Sequence, residues 1–339
     1  PPILSGIDVL AANPGGSATP TVDVEVSTDN GTTWTPVASG VALDAMGSGT
    51  LPWTAGPVTG GNTGLLRVSA AGGPEDLSDA SFSVANDGPD YFVNDASTAG
   101  DVFTGSVGDD LNDGKTPATP MASVFALLAA YDLDPGDIVH VDTGDYLLVR
   151  NLLIGEGDSG VTLEGPEGAG AVLDRDDPLD TKSYAFELAG ADNVTLHRIT
   201  ITEARYGGYA SDGADSDGFT ASECVFTGHV TGSHLDRSND YATVVDCEMV
   251  SGSIGIHGGG VGLDILDSRI SGHTTIGIEV VNTDHDHPTR IRGSTVANNQ
   301  TGIDASGLGV WIEENLVYGN TTGVAISSES RVVGNTVYG

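Results

Sequence analysis

A short phrase returns in the second half of the chain, each time ending on a side chain that titrates: Gly232-Ser233-His234, Gly255-Ile256-His257, Gly277-Ile278-Glu279 and Gly302-Ile303-Asp304, before it lapses at Gly323-Val324-Ala325. Side chains alternate along an extended strand, so the middle residue points inward and the last one outward. Strands laid side by side would carry His234, His257, Glu279 and Asp304 as an outward row, with Asp236 and Arg237 close by. Two chemistries follow. An imidazole base with a guanidinium could take a proton from the carbon beside a carbonyl and hold the developing enolate, which pairs His234 or His257 with Arg237 or Arg205. The two lysines, Lys115 and Lys182, lie outside the clear repeats. Alternatively Glu279 and Asp304 on neighbouring strands, about 5 Å apart, have the spacing of a retaining glycosidase. Against both stands the unevenness of the row, which passes from His to Glu to Asp to Ala without a triad, and rows of exposed acids are common without catalysis.

Two loops add metal chemistry. Asp212, Asp215 and Asp217 in SDGADSDGF offer carboxylates for calcium, although the full alternating ligand series and closing glutamate of an EF-hand are missing. In NTDHDHP, His285 and His287 lie two residues apart; on a strand they would share a face and could take zinc with His257 or an aspartate, whereas in a loop they are solvated. Asp110, Asn112 and Asp113 before Gly114 fit a cation loop or an ordinary turn equally well.

The elements that must position these residues are coils of a solenoid. Seven segments align, LHRIT, SECVF, VDCEM, LDSRI, RGSTV, EENLV and VGNTV, with central residues Arg198, Cys224, Cys247, Ser268, Ser294, Asn315 and Asn335 at intervals of 26, 23, 21, 26, 21 and 20 residues. A coil of that length cannot bury its apolar face alone; stacked at about 4.8 Å the coils share one core. The column of Cys, Ser and Asn fits an inward turn position that hydrogen-bonds from coil to coil. Cys224 and Cys247 would be neighbours there, as a disulfide or as two buried thiols. The two longer coils place their extra residues, the two metal-type loops, on one corner, three coils or about 14 Å apart, flanking a trough floored by His234 and His257.

Residues 91–150 read as an opening cap, with a short helix starting at Thr119-Pro120 that turns Val124, Leu127 and Leu128 to one side, followed by a strand over Asp137–Val141. Ahead of it, TVDVEVS runs into the Asn30-Gly31 turn, a strand resumes at Thr32-Thr33-Trp34, and Trp34 and Trp53 are expected in the core of a sandwich with Leu65–Val68 and Phe82–Val84 as later strands. That domain is expected to close near Ala85–Pro89.

The phrases YFVNDAS, DDLNDGKTPATP and FALLAAYDLDPGDIVHVDTGDYL resemble the opening of the pectate-lyase-like β-helix superfamily, over residues 90–339, and the N-terminal pattern resembles bacterial immunoglobulin- or fibronectin-like modules. The resemblance implies an all-β chain, an immunoglobulin-like sandwich over 1–86 and a right-handed parallel β-helix over 90–339, and admits lyases, epimerases and hydrolases. The mannuronan-epimerase motif Tyr-Gly-x-Asp-Pro-His is missing. A formal net charge of −36, from 48 acidic and 12 basic residues, excludes phosphate-backbone binding and with it nucleic acid. It suits a secreted or cell-surface protein in salty or calcium-containing water, and serves equally as a solubility device that says nothing of a ligand. No apolar run reaches the roughly 20 residues of a membrane span. Because NTVYG at the end echoes the phrase ending at Gly319, the chain reads as stopping in mid-repeat. The expectation is a structural or adhesive segment of a larger extracellular protein, a rigid rod meeting polysaccharide or copies of itself. The alternative is a polysaccharide lyase or related carbohydrate-active enzyme working on an acidic polysaccharide.

Overall fold

A computed structural model describes residues 6–10, 21–53, 61–70, 73–84, 88–327 and 329–339. From residue 138 to 338 the chain winds as a parallel solenoid with three faces. The first face stacks strands such as Thr195–His197, Thr220–Ser222 and Thr243–Val245. The second is a nine-stranded parallel sheet from Gly144–Leu147 to Thr336–Tyr338. The third carries Tyr184–Ala189, Tyr206–Ala210, Thr231–Leu235, Ile254–Gly258, Ile276–Asn282 and Thr301–Glu313 in parallel register.

The core is a set of columns. On the first face Val139, Leu163, Leu196, Ala221, Val244, Ile265, Ile291 and Ile312 lie in register, all fully buried. Each apolar residue therefore covers the one before it, and stacking alone desolvates the column. Between the first two faces the chain turns on one residue in the left-handed conformation, filled by Arg198, Glu223, Asp246, Asp267, Gly293, Glu314 and Gly334. Each non-glycine residue there costs about 1–2 kcal/mol.

The hydrogen bonds inside that corner offset the cost. Cys224 N donates to Cys247 Sγ, Cys247 N to Ser268 Oγ, Ser268 N to Ser294 Oγ, Ser294 N to Asn315 Oδ1 and Asn315 N to Asn335 Oδ1. This is the expected Cys, Ser and Asn column, with one correction. Arg198 is not its first member: Ile199 stands in register with Cys224, and Arg198 occupies the exposed turn position, where its guanidinium pairs with Glu223 at 3.0 Å. The two thiols are free and buried, and each donates to backbone carbonyls at 3.3–3.4 Å.

A second interior column lies at the next corner: His229, Gly252, His273, Asn299 and Asn320. His273 N donates to Asn299 Oδ1 and Asn299 N to Asn320 Oδ1, while Asn320 Nδ2 reaches Val296 O. His229 does the same work with a ring. Its Nδ1 accepts from Ala204 N at 3.1 Å, and Nε2 meets Ile201 O at 2.9 Å.

The cap helix runs Val124–Ala130 and is shorter than expected. Ser123 is its N-cap, accepting from Ala126 N, and Thr119-Pro120 belong to the preceding turn, where Gly114 N bonds Thr119 O. Val124 and Leu127 are buried beneath it and Leu128 is half-buried. The following strand is Ile138–Val141.

At the N-terminus a small antiparallel sheet pairs Thr21–Ser27 with Thr35–Ala42 and Gly61–Ala70, and Gly61–Ala70 with Glu75–Leu77 and Phe82–Val84. Its buried core is Val22, Val24 and Leu43, with half-buried Trp53 packed against it as expected, whereas Trp34 does not join it. Trp34 is half-buried under the Arg67 guanidinium, 4.3 Å from its ring, and Trp53 packs edge-on to Phe82. The strand after the Asn30-Gly31 turn begins at Thr35, because the Asp29 carboxylate holds Thr33 through its N–H and hydroxyl and keeps Thr32–Trp34 in the turn. The expected domain end at 85–87 lies outside the described residues.

Candidate functional site

The third face explains why its phrase must begin with glycine. A Cβ on Gly207, Gly232, Gly255, Gly277 or Gly302 would stand 2.5–2.7 Å from the carbonyl oxygen of the next glycine down the column. No side chain fits at that approach, so the backbone stacks directly and the two residues that follow are held in register. Ile256, Ile278 and Ile303 point inward and are fully buried. His234, His257, Glu279 and Asp304 form the outward row, one per coil.

The row begins two coils earlier than the sequence reading placed it. Glu187 and Tyr209 precede His234 in register. Tyr184, Tyr206 and Tyr209 stack at 4.1–5.5 Å between ring centres, Tyr206 stacks on His234 at 4.6 Å, and His234 on His257 at 4.5 Å with 15° between planes. The signal was present: Gly207-Gly208-Tyr209 has the same glycine-led pattern with an aromatic in the last place.

At the lower end of this stack three donors converge. His234, Asp236 and His257 bring one ligand-type atom each to within 4.8 Å of one another. His234 Nε2 lies 3.2 Å from Asp236 Oδ1. His257 Nδ1 lies 2.8 Å from Glu279 Oε2, which orients the ring and leaves Nε2 toward other partners. The side chains are 21%, 31% and 22% exposed in chain order. Burial first, and then the neighbouring His257 ring, hold the His234 pKa below the ordinary histidine value, so its neutral form, with a lone pair to offer, prevails near pH 7.

The other expected site residues are placed differently. Asp304 follows Glu279 on the row, but Glu279 is already bonded to His257. Arg237 lies just past Asp236, with its backbone N–H on Asp212 Oδ1 at 2.7 Å. Asp212, Asp215 and Asp217 share a corner loop, yet among the described residues their oxygens do not gather as a metal cluster. Asp212 is used on Arg237 N, and Asp217 accepts Asp240 N at 2.8 Å. These carboxylates tie one coil to the next. His285 and His287 stand in a loop, not on a strand, and turn to different acids: His285 to Glu329 at 2.8 Å and His287 to Asp284 at 2.7 Å. They form no shared metal face with His257. Asp110 accepts from Ala122 N and Ser123 N and serves the cap turn. A cleft of about 450 Å³ at the cap, between Ser123–Phe125 and Asp145–Arg150, holds none of the outward row.

The family model for NosD, described as a periplasmic copper-binding protein, matches residues 139–339, well over half of the chain. The chain belongs to the NosD family. The match covers the whole outward row and both interior columns. Among curated proteins none matches the sequence. Among solved structures, the catalytic unit of a thermostable GH87 α-1,3-glucanase from Streptomyces thermodiastaticus superposes at a TM-score of 0.51 with 17% identity, over 100% of this chain and 66% of that one. Pectate lyase Pel9A gives 0.49 with 15% identity, over 71% of this chain and 70% of that one. At such identities the likeness to the glucanase speaks for the β-helix fold alone. Among the described residues of this NosD-family chain, no helix is long and apolar enough to cross a membrane.

Proposed function

We propose that this NosD-family chain binds a divalent late first-row metal ion, copper(II) foremost, on the outer face of its β-helix through His234, Asp236 and His257, and that it works outside the cytoplasm. The observation that carries this reading is the convergence of two imidazoles and a carboxylate within 4.8 Å. Imidazole with carboxylate is a donor set suited to copper(II) and zinc and a poor one for calcium, which takes oxygen ligands. Glu279 supplies the outer partner that metal-binding histidines ordinarily have, fixing which ring nitrogen is free. The rings, about a fifth exposed, leave an entry path from solvent. The family's description as periplasmic and copper-binding supports the same choice of metal and compartment. Bound there, copper would supply Lewis acidity and one-electron redox chemistry. The protein's own residues orient the rings and hold His257 through Glu279. In this reading the solenoid is a rigid arm and the N-terminal antiparallel sheet an immunoglobulin-like spacer.

Titration calorimetry with copper(II), zinc and calcium, with electron paramagnetic resonance of the copper form, tests the site. One equivalent of copper should bind with nitrogen hyperfine coupling, be lost in His234→Ala/His257→Ala, and weaken about 10–100-fold in Glu279→Ala. His285→Ala/His287→Ala should bind as the parent does. Undiminished copper affinity and nitrogen coupling in the His234→Ala/His257→Ala protein would overturn the assignment.

A further inference from the structure

The cap closes the three faces of the solenoid unequally. On the first face it adds a strand of its own, Asp90–Val93, in parallel register beside Ile138–Val141. On the second it adds none: Gly144–Leu147 is the end strand of that sheet, and among the described residues it pairs with Ala171–Asp177 alone. Gly144 N donates to Gly170 O and Leu148 N to Asp174 O, so residues 144, 146 and 148 turn their amide groups to the sheet. Those of Asp145 and Leu147 therefore face the open edge. Asp145 N meets Asp95 Oδ2 there at 3.4 Å, a carboxylate oxygen standing where the carbonyl of one more strand would be, at the far limit of a hydrogen bond.

The cap cleft of about 450 Å³ runs along this edge, with Asp145–Arg150 on one side and Ala122, Val124 and Phe125 on the other. Leu147 and Val149 are 63% and 78% exposed beside it, apolar surface that a covering strand would take out of water. The rim is acidic. Asp95, Asp110 and Asp145 line it, and Asp174 stands in register with Leu147. Arg150, the cation of the lining, lies over the Phe125 ring at 3.3 Å.

We infer that the Gly144–Leu147 edge accepts an extended segment of another protein as an added strand, a segment with alternate apolar side chains and a lysine or arginine opposite Asp145. Backbone bonds to Asp145 and Leu147 hold the segment, its apolar side chains cover Leu147 and fill the cleft against Val124 and Phe125, and the carboxylates of the rim select the basic residue. A second copy of this chain does not suit the edge, because copies of net charge −36 repel one another. Four residues of strand span about 13 Å, which sets the recognised segment at about four to six residues. None of the residues involved is a proposed metal ligand, so the inference stands apart from the metal site.

The test measures fluorescence anisotropy of the full chain with labelled six-residue peptides of alternating valine and threonine. One carries a central lysine, one a central glutamate, and two repeat the lysine peptide with every second backbone nitrogen methylated, in either phase. The lysine peptide should bind about tenfold more tightly than the glutamate peptide, and one methylated form, whose bonding edge is blocked, should lose about tenfold while the other keeps its affinity. Leu147→Pro removes the outward N–H at an edge position where proline is tolerated and should weaken binding about tenfold. Asp145→Lys, a change at an exposed side chain, should turn the preference toward the glutamate peptide. No binding of the lysine peptide at about millimolar concentration, equal binding of the two methylated forms, or undiminished affinity in folded Leu147→Pro would overturn the inference. Self-association of the parent that Leu147→Pro abolishes in sedimentation would give the edge to a second copy and overturn the basic partner.

Discussion

His229 should make this protein weaken in mild acid, by an amount the structure sets. The ring is 3% exposed, and burial, opposed only in part by its bonds to backbone carbonyls, lowers its pKa from 6.5 to about 4. Protonating Nδ1 would also set a donor against the Ala204 N–H that now bonds to it at 3.1 Å. The unfolded chain takes up a proton near pH 6.5 and the folded one only near pH 4, so stability is fully present above 6.5 and is lost as pH falls between these values. At 1.36 kcal/mol per pKa unit the loss reaches about 2 kcal/mol by pH 5 and about 3 kcal/mol by pH 4. Asparagine is the control, because Asn299 and Asn320 make the equivalent bonds in the same column without titrating. Urea unfolding of the parent and of His229→Asn at pH 7.5 and 5.0 isolates the contribution, since His273, also lowered by burial, is common to both. The parent should lose about 2 kcal/mol more than the variant between these pH values. Parallel losses within about 0.5 kcal/mol would show that His229 does not titrate as its surroundings require.

Two further expectations concern the columns. Gly255→Ala forces a Cβ to 2.5 Å from Gly277 O and should destabilise by more than about 2 kcal/mol, whereas Gly208→Ala, whose Cβ would lie 3.8 Å from Ser233 Oγ, should fold nearly as the parent does in the same denaturation assay. Cys224→Ser/Cys247→Ser should cost less than about 1.5 kcal/mol and abolish labelling by thiol reagents in denaturant, because Ser268 and Ser294 already fill the next places of that column with the same bonds.

The solenoid was legible because its interior repeats under strict rules. A residue in the Cys, Ser and Asn column must accept from the coil above, and few side chains do so at that reach. The one misplacement, Arg198 for Ile199, came from the neighbouring position, which tolerates Arg, Glu, Asp and Gly alike because only its backbone angle matters there. Reading Thr119-Pro120 as a helix start gave weight to proline and missed Ser123, whose side chain makes the cap. Trp34 misled for a related reason: size suggested burial in the core, but it lies under the Arg67 guanidinium, which is tied to Glu25 at 2.6 Å.

The outward row was harder to read, because nothing in the stack constrains it. His229 and His234 are five residues apart in one coil, and composition cannot separate them. Parity does: His229 replaces an asparagine inside the corner, its nitrogens consumed by backbone, while His234 faces out and meets Asp236 and His257. His285 and His287 looked equivalent only on the assumption of a strand; the turn that Asp284 makes with Asn282 separates them and gives each its own acid. Asp236 is placed close to the row by the sequence but is given no role of its own there, because it lies just past its strand, where alternation no longer tells direction. A titratable residue in this fold is therefore open to an outside ligand where it falls outside every interior column. By that criterion the structure draws together His234, Asp236 and His257, and leaves most of the other acids to hold one coil to the next or face water.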